Sequence, residues 1–513
     1  MRMPYVNPIH RTKKQYGVFG GLDTRDVIEE TSFADMKNMS SDYFPAIGPR
    51  KPRGDVLKTL AKPNGLYWKN GIAYVDGAEL YYNDKKVGEV TDSEKTMVGM
   101  GAYILILPDK VYLNTDSGEF GQMEKTFTQG TTATFAPSYT GSTYTKITCT
   151  GIGKLFNQYD GVTISGCTDA QFNKTATIQA KTDDSITVIG ALEKEFTQQS
   201  GLTIKRAVPD MDFLIECENR LWGCSSKNHE VYASKLGDPM NWNVFEGIST
   251  DSYAATIGSD GEFTGAASYS GYALFFKEHA LHKVYGNKPS NIQINTMETY
   301  GVKKGCGKSL CTVGTVLLYV SETGVYGYTG GVPFAVGEQL EKIQIDAATA
   351  GKDGEKYYLS TYDGKGWQML VYDIGKKIWY REDETRMKLA ASGGGELHYV
   401  DGANNLRMIS GGTEEFDWYA ETGDIEDKNL NRKYVGKLQF MMELERGARV
   451  DILIKTDQDA AFKKVMTISA DRKRTYSIPI KPKRSFHYRW RMEGKGEAKL
   501  FAIGKYIEEG SEV

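Results

Sequence analysis

The sequence contains few histidines and cysteines, the side chains best suited to metal binding or nucleophilic chemistry. Their spacing does not match that of a metal site or a redox-active cysteine pair. The six histidines include one H-x-x-H pair, His279 and His282. Residues i and i+3 of a strand point to opposite faces, so this spacing does not build a metal site. The six cysteines form no C-x-x-C pair and lie mostly in apolar runs, which predicts buried free thiols. Cys217 and Cys224 are spaced to meet across a hairpin, but a reducing cytoplasm argues against a disulfide. We therefore expect no metal and no cofactor.

Two acidic motifs look like fragments of known sites. Asp457 and Asp459 match part of a calcium loop, but the other ligands are missing, so a solvated turn is predicted. The run from Asp363 to Trp367 loosely resembles the turn motif of sialidase propellers and is better interpreted as a hairpin turn. The sequence contains no nucleophile elbow, zinc-protease, phosphate-loop or dinucleotide motif. The chain is therefore predicted not to be an enzyme, with a polysaccharide-degrading propeller as an alternative.

Basic residues are the remaining candidates for binding. They are dense between residues 463 and 491, and a second group occurs in R-K-P-R at 50–53. Such groups suit contact with DNA or with acidic neighbouring subunits, and a solvated face is the alternative. The candidate contact residues are Arg50, Lys51, Arg53, Arg472, Lys473, Arg474, Lys481, Lys483 and Arg484.

The overall charge and hydropathy exclude some classes of protein. With 63 basic and 66 acidic residues, the chain has a net charge of -3, which does not suit a protein that wraps nucleic acid. No apolar run approaches the roughly 20 residues of a membrane span. The first residues lack the apolar core of a signal peptide. We expect synthesis in the cytoplasm, no export by that route and no membrane insertion.

The elements that position these residues are predicted to be strands. The chain has 32 Tyr and 56 Gly, and runs of four to seven β-formers are cut by Gly, Asp and Asn, so it reads as all-β. Helix-like spacing is limited to short stretches at 26–39 and 338–343. A unit of strand, tight turn and aromatic-rich strand recurs at roughly 40 residues, the spacing of propeller blades. The units lie at 66–82, 103–113, 213–233, 273–285, 316–328, 356–372 and 397–409.

Stacking such units around an axis buries both faces of each small sheet, which favours a six- or seven-bladed β-propeller over a many-stranded sandwich. A segment from about 128 to 206 that is rich in Thr, Ser and Gln interrupts the repeat, and it predicts an inserted small β-barrel or sandwich. Clean alternation near the end predicts a C-terminal β-sandwich. The N-terminal arm either packs onto a neighbour or closes the propeller. The predicted domains are the arm 1–54, propeller 55–127, insert 128–207, propeller 208–411 and sandwich 412–513.

Several motifs resemble one family. The stretch 16–53 contains N-M-S-S-D-Y-F-P and R-K-P-R and is similar to phage and prophage structural proteins. So are N-R-L-W-G at 219–223, G-D-P-M-N-W-N at 237–243, and the terminal segment 496–513. On these motifs the chain resembles the packaged-DNA stabilisation proteins, or tail hub proteins, of tailed phages. The resemblance covers most of the chain except 128–206.

The resemblance implies a β-propeller with accessory β domains that forms a homohexameric ring. Such a ring would close the DNA channel at the head-to-tail connector or tail hub and anchor later tail components. Its expected partners are further copies of the chain, portal or adaptor and other tail proteins, and packaged DNA. Its expected location is the virion, after assembly in the host cytoplasm. The alternative is a receptor- or glycan-binding tail protein, motivated by the Tyr-rich turns and the Thr/Ser-rich insert.

Overall fold

The computed structural model describes residues 11–427, 432–469, 472–480 and 484–509. The chain divides into two compact units. Unit 1 contains Met1–Thr59, Cys311–Thr329 and Phe334–Val513, and unit 2 contains Leu60–Leu310 and Gly330–Pro333. The only helical elements among the described residues are 3-10 turns at Ile152–Lys154, Ala170–Phe172, Pro289–Asn291, Gly307–Ser309 and Glu338–Leu340. The predicted all-β class is confirmed. In the described part of the chain, no helix is long and apolar enough to cross a bilayer.

The fold contains a β-propeller, as predicted, and the described residues form seven of its four-stranded antiparallel blades. Blades 1 to 4 belong to unit 2, and blades 5 to 7 belong to unit 1. Blade 1 comprises Pro63–Trp68, Ile72–Asp76, Glu79–Tyr82 and Lys85–Glu89; blade 2, Thr96–Met100, Tyr103–Leu107, Val111–Asn114 and Phe120–Gln122; blade 3, Phe213–Cys217, Arg220–Ser225, Glu230–Ala233 and Tyr253–Thr256; blade 4, Gly265–Tyr269, Tyr272–Lys277, Ala280–Tyr285 and Gln293–Glu298. Blade 5 comprises Cys311–Val313, Val316–Ser321, Gly324–Tyr328 and Phe334–Ala335; blade 6, Ala347–Asp353, Lys356–Tyr362, Trp367–Asp373 and Ile378–Arg381; blade 7, Leu389–Gly393, Glu396–Val400, Asn405–Met408 and Lys58–Thr59.

The strand pattern within a blade follows from what covers its two faces. Inner strands such as Val316–Ser321 are buried on both faces, so they read as continuous apolar runs rather than as alternating ones. Outer strands such as Gln293–Glu298 are largely exposed and polar. Tight turns join them: Asn70 adopts a φ of 51° between the first two strands of blade 1, a conformation that asparagine tolerates better than most residues.

Within unit 2, each blade packs its apolar face on the next. Ala73 and Val75 of blade 1 share a core with Ile104 of blade 2. The other face of blade 2 contributes Leu105 and Leu107 to a core with blade 3. Both faces of the middle strands are thereby removed from water, which is the main stabilising contribution in this architecture.

Within unit 1, blade 7 takes its outer strand from the N-terminal side of the chain. Lys58 and Thr59 pair with Leu406 and Asn405, and the amide of Gly54 donates to the carbonyl of Met408 at 3.0 Å. Residues 54–59 therefore complete blade 7. This is one of the two roles that the sequence suggested for the N-terminal segment.

The insert is one curled sheet of eight strands in unit 2. Its order is Lys125–Thr128, Thr203–Arg206, Gly161–Ser165, Thr175–Thr182, Ser185–Ile189, Tyr144–Thr148, Ala133–Pro137 and Phe196–Gln198. The concave side holds an apolar core that includes Phe135, Phe172 and Ile186. At the base, Arg206 pairs with Asp160 at 3.0 Å and donates to the carbonyl of Met123 at 2.9 Å. These contacts fix the point where the chain leaves and re-enters the propeller.

The C-terminal sandwich consists of two sheets. The first has the order Arg11–Tyr16, Ala498–Glu509, Lys433–Leu444 and Arg474–Pro479. The second has the order Gly21–Leu22, Ser32–Lys37, Asp417–Thr422, Tyr488–Lys495, Arg449–Thr456 and Lys463–Ile468. A short ladder pairs Met39–Ser40 with Gly48–Pro49. Trp490 of the second sheet meets Phe440 of the first edge to face, with ring centroids 5.5 Å apart. The buried faces of the two sheets form one core.

The N-terminal segment is not a free arm, which corrects the predicted boundaries. Arg11–Tyr16 pairs with the strand Ala498–Glu509, and Ser32–Lys37 pairs with Asp417–Thr422. The second pairing also replaces the short helix suggested by the spacing in 26–39, because it buries Phe33 against Trp490 at a centroid distance of 5.8 Å. Tertiary pairing outweighs the weak local helical preference.

All six cysteines are free; five are buried and Cys311 is half-buried. In the hairpin of blade 3, Cys217 lies opposite Arg220, and Cys224 lies opposite Phe213. The two thiols therefore do not face each other, because the tight turn sets a register that separates them.

Phe440 offers a test of the sandwich core. The side chain is fully buried between the sheets, so we expect Phe440→Ala to destabilise unit 1 by about 3–5 kcal/mol through lost burial and a residual cavity. Chemical denaturation followed by circular dichroism measures this effect. The control is Phe486→Ala, because Phe486 is 45% exposed. Equal stability losses in the two variants would contradict the assigned core.

Candidate interaction surface

Three consecutive exposed basic residues lie at an edge strand of the sandwich. Arg474–Pro479 is the outermost strand of its sheet in the described part of the chain, paired on one side with Lys433–Leu444. Tyr476 and Ile478 point into the core, whereas Thr475 and Ser477 are exposed. Arg472, Lys473 and Arg474 are exposed at the start of this strand. We call these three residues the basic edge group.

The basic edge group differs from other basic residues in its surroundings. The ammonium of Lys473 lies 3.6 Å from the ring centroid of Phe501, a cation–π contact. Among the described residues, no carboxylate forms an ion pair with the group. Proline at position 479 and the three charges make this edge a poor template for strand addition. Any partner would be recognised through side-chain charge.

The remaining basic residues of the C-terminal segment are mostly paired. Lys463 contacts Asp459 at 2.5 Å, and Arg489 contacts Asp424 at 2.7 Å. Arg484, one of the candidate contact residues, is half-buried, and its Nε donates to the hydroxyl of Tyr434 at 2.9 Å. Lys481 and Lys483 lie outside the described residues.

Arg50 and Arg53 are buried, which corrects their assignment as DNA or subunit contacts. Each side chain is only 5% exposed. Arg53 pairs with Glu382 at 2.6 Å and with Asp383 at 2.9 Å. Arg50 shares Asp383 at 3.1 Å and pairs with Glu414 at 2.9 Å. Both guanidinium groups are occupied inside unit 1, and only Lys51 of this motif is exposed.

We call these five side chains, Arg50, Arg53, Glu382, Asp383 and Glu414, the arginine cluster. The cluster joins three segments of unit 1: the N-terminal motif, the connection after blade 6, and the connection into the sandwich. Burial by itself raises the pKa of Asp383, but the charge of Arg53 and its hydrogen bond, followed by Arg50, lower that pKa to about 2. Burial raises the pKa of Glu382 against the opposing charge of Arg53. Two guanidinium groups thus face three carboxyl groups, and removing either cation is costly.

The neighbouring motif N-M-S-S-D-Y-F-P performs a similar structural task. Ser41 donates to Asp373 of blade 6 at 2.6 Å. Asp42 pairs with Lys356 at 2.5 Å, and Tyr43 donates to Glu497 at 2.7 Å. These polar residues attach the N-terminal segment to blade 6 and to the C-terminal strands.

The motifs at 219–223 and 237–243 are also structural. Nη1 of Arg220 donates to the carbonyls of Ser234 at 2.8 Å and Asp251 at 2.6 Å. Asn241 accepts from the amide of Gly161 at 3.0 Å and so connects blade 3 to the insert. The polar side chains of these motifs therefore stabilise loop conformations in unit 2 through hydrogen bonds to the backbone.

The described histidine pair and the acidic turn are each engaged with their own neighbours. Burial, followed by the charge of Lys277, lowers the pKa of His282 to about 4. Its ring contacts Ser259 at 3.0 Å and Thr296 at 2.8 Å, whereas His279 is exposed in a turn. Asp459 accepts from the hydroxyl of Thr456 at 2.6 Å within its own turn. In the described ranges, no group of three or more His, Cys, Asp or Glu residues is placed to hold a metal ion.

Comparisons with known proteins find only remote structural similarity. No protein-family model and no curated protein matches the chain. The computationally designed Ika8 protein aligns with 70% of this chain and 100% of its own, at 10% identity and a TM-score of 0.35. An ancestral GH74 enzyme aligns over 78% of this chain and 52% of its own, at 10% identity and a TM-score of 0.27. The phage phi92 endosialidase aligns over 80% and 56%, at 11% identity and a TM-score of 0.16. Similarities this low carry no argument about function.

The arginine cluster yields a stability prediction. Arg53→Ala leaves Glu382 and part of Asp383 buried without compensation, so we expect a loss of about 3–5 kcal/mol in the free energy of unfolding. Urea denaturation of the full chain measures this loss. Lys51→Ala is the matched control, because Lys51 is exposed two residues away. An Arg53→Ala protein as stable as the control would show that the cluster does not hold these segments together.

Asp383 also predicts a pH dependence. Its pKa falls from 3.8 to about 2 on folding, so its contribution to stability is present above pH 4 and is lost as the pH falls from about 4 to 2. Asp383→Asn should therefore be less stable than the wild type near neutral pH, and the difference should shrink over that acidic window. Thermal melts across the pH range measure this. A constant difference down to pH 2 would contradict the assignment.

Proposed function

We propose that this chain is a non-catalytic structural subunit of a tailed-phage virion. In this proposal, it forms a ring in the head-to-tail connector or tail hub, where the ring closes the DNA channel and anchors later tail components. The observation that carries the proposal is the basic edge group, Arg472, Lys473 and Arg474. This group is exposed on a rigid sandwich, whereas many basic residues nearby are paired within the chain.

The chain itself offers a chemically suitable partner for the basic edge group. Its net charge is -3, so a second copy presents an excess of acidic residues. In a cyclic assembly, one surface of each subunit contacts a different surface of the next, which places basic and acidic patches together. The same net charge argues against broad wrapping of DNA. We therefore assign the group first to contact between subunits, with packaged DNA as the alternative.

The motifs behind the family resemblance are compatible with this role. In the N-terminal motif, Ser41, Asp42 and Tyr43 attach the first residues to blade 6 and the C-terminal strands. A subunit that carries load at a channel benefits when its N-terminal and C-terminal strands are joined in one domain. The buried charges of the arginine cluster serve the same attachment and are held in ion pairs. These features support a scaffold whose work is assembly.

The direct test is the assembly state of the purified chain. We expect a ring, with six copies as the expected number, seen by light scattering and in electron micrographs of the chain alone or mixed with portal or adaptor protein. A monomer under all these conditions would overturn the proposal. Immunogold labelling of particles would then place the protein at the neck or at the tail.

The basic edge group gives the sharper prediction. Reversing the charges of Arg472, Lys473 and Arg474 to Glu should weaken assembly about tenfold or more, because attraction becomes repulsion across the interface. Wild-type assembly should also weaken as the salt concentration rises. Sedimentation velocity measures both effects.

The matched control reverses Lys154, Lys174 and Lys194, which are exposed on the insert. It changes the net charge of the chain equally and should assemble like the wild type. Equal assembly of the two triple variants would contradict the role given to the basic edge group. Loss of DNA retention with normal ring formation would instead assign the group to packaged DNA.

A further inference from the structure

Unit 1 contains a groove beside blade 6, and two carboxyl groups of the arginine cluster, Glu382 and Asp383, form part of its wall. Its first part is a cleft of about 330 Å³ beside the hairpin loop of blade 6, lined by Trp367, Lys37 and Tyr419 among others. Its second part is a cleft of about 470 Å³. Asp363, Gln368 and Arg381 line both clefts, so the two clefts adjoin, and we treat them as two parts of one groove. Each volume lies in the range of about 300–1,000 Å³ that is common for ligand sites.

Trp367 provides an aromatic surface whose orientation is fixed. The guanidinium of Arg386 lies 4.8 Å from the indole centroid. Tyr362, its cross-strand neighbour, lies at a centroid distance of 5.4 Å. Neither of these side chains lines the groove. They therefore hold the indole from other sides, while part of the half-buried ring borders the cleft. A held ring loses little conformational entropy when a ligand stacks on it.

The polar groups of the groove are fixed by one another. Nε of Arg381 donates to the carbonyl of Met36 at 2.6 Å, and the guanidinium pairs with Asp35. The Tyr419 hydroxyl donates to the same carboxylate at 3.0 Å. At the loop, Asp363 accepts from the amides of Lys365 and Gly366 at 2.9 Å each. These backbone amides lower the pKa of Asp363, so it presents a carboxylate. The groove thus offers preorganised donors and acceptors beside an aromatic ring.

The charges indicate which class of ligand fits. Lys37 is paired with Glu384 at 2.7 Å, and Arg489 is paired with Asp424 in the second part. Arg381 is paired with Asp35, so these three cations are already compensated. Lys365 also lines the first part, where four carboxyl groups outnumber the three cations, so an anionic ligand would gain little there. Carboxylates, an amide and a tyrosine hydroxyl next to an indole match hydroxyl-rich rings that have one apolar face.

We propose that this groove binds a neutral oligosaccharide, with one sugar ring stacked on Trp367 and its hydroxyls bonded by Asp363 and Gln368. Two adjoining clefts of about 330 and 470 Å³ offer room for more than one sugar ring, which favours an oligosaccharide over a single small metabolite. The inference does not depend on ring assembly, since every residue it uses belongs to unit 1 of a single chain. It also moves the expected sugar contact away from the Thr/Ser-rich insert, which belongs to unit 2.

Affinity electrophoresis of the full chain tests the proposal. The gels contain a neutral polysaccharide (dextran, laminarin, galactomannan or arabinogalactan) or the acidic polymer alginate. We expect retardation by at least one neutral polymer. Trp367→Ala should weaken that binding about tenfold or more, and Gln368→Ala should weaken it less. Trp68→Ala is the matched control, because Trp68 is also half-buried on a blade strand but lies in unit 2.

A thermal melt of each variant separates lost binding from lost folding. If Trp367→Ala is unfolded, Trp367→Phe keeps an aromatic ring and should retain most of the binding, while Gln368→Ala still weakens it. Three results would overturn the proposal: no retardation by any neutral polymer, equal retardation of wild type and Trp367→Ala, or retardation by alginate alone that disappears with added salt. The last result would indicate general attraction to anions.

Discussion

The buried ion pairs of Arg50 and Arg53 are the interaction on which the organisation of unit 1 depends. They bind carboxylates from two other segments: Glu382 and Asp383 after blade 6, and Glu414 before the sandwich. A buried charge that loses its partner costs more than most other defects, so the three segments are held in one arrangement. The pairings of the N-terminal strands with the C-terminal ones can form only when these segments are aligned.

One consequence is that the described N-terminal strands and the C-terminal strands build the same domain. Arg11–Tyr16 lies beside Ala498–Glu509, and Ser32–Lys37 lies beside Asp417–Thr422. Between these ends, the chain forms the propeller blades and the insert. Contacts between residues so far apart in sequence carry a high cost of chain ordering, and the sandwich core and buried ion pairs offset that cost. Edge strands remain, and one of them carries the basic edge group.

A second consequence concerns how charge is distributed. Basic residues that look alike in the sequence differ in burial and pairing in the structure, because each meets different neighbouring groups. Arg53 is buried and compensated, Arg484 is held by Tyr434, and Arg474 is exposed. The same pairing makes the groove at Trp367 polar but largely charge-compensated. Availability for a partner therefore depends on the unpaired charges, and the number of basic residues in a segment is a poor guide to it.

Local alternation, turn residues and apolar runs were enough to predict the all-β class, the propeller repeat, the inserted and C-terminal β domains and mostly buried thiols. The seven blade units could also be located in the sequence, because six blades are continuous meanders and only blade 7 takes one strand from elsewhere in the chain. Long-range pairing, which the sequence pattern does not reveal, places 11–49 in the sandwich and uses 54–59 to complete blade 7. The tertiary structure likewise decided that Arg50 and Arg53 are buried while Arg472 and Arg474 are exposed. These outcomes depend on which distant carboxylate or strand edge each segment meets, and local pattern carries no information about that.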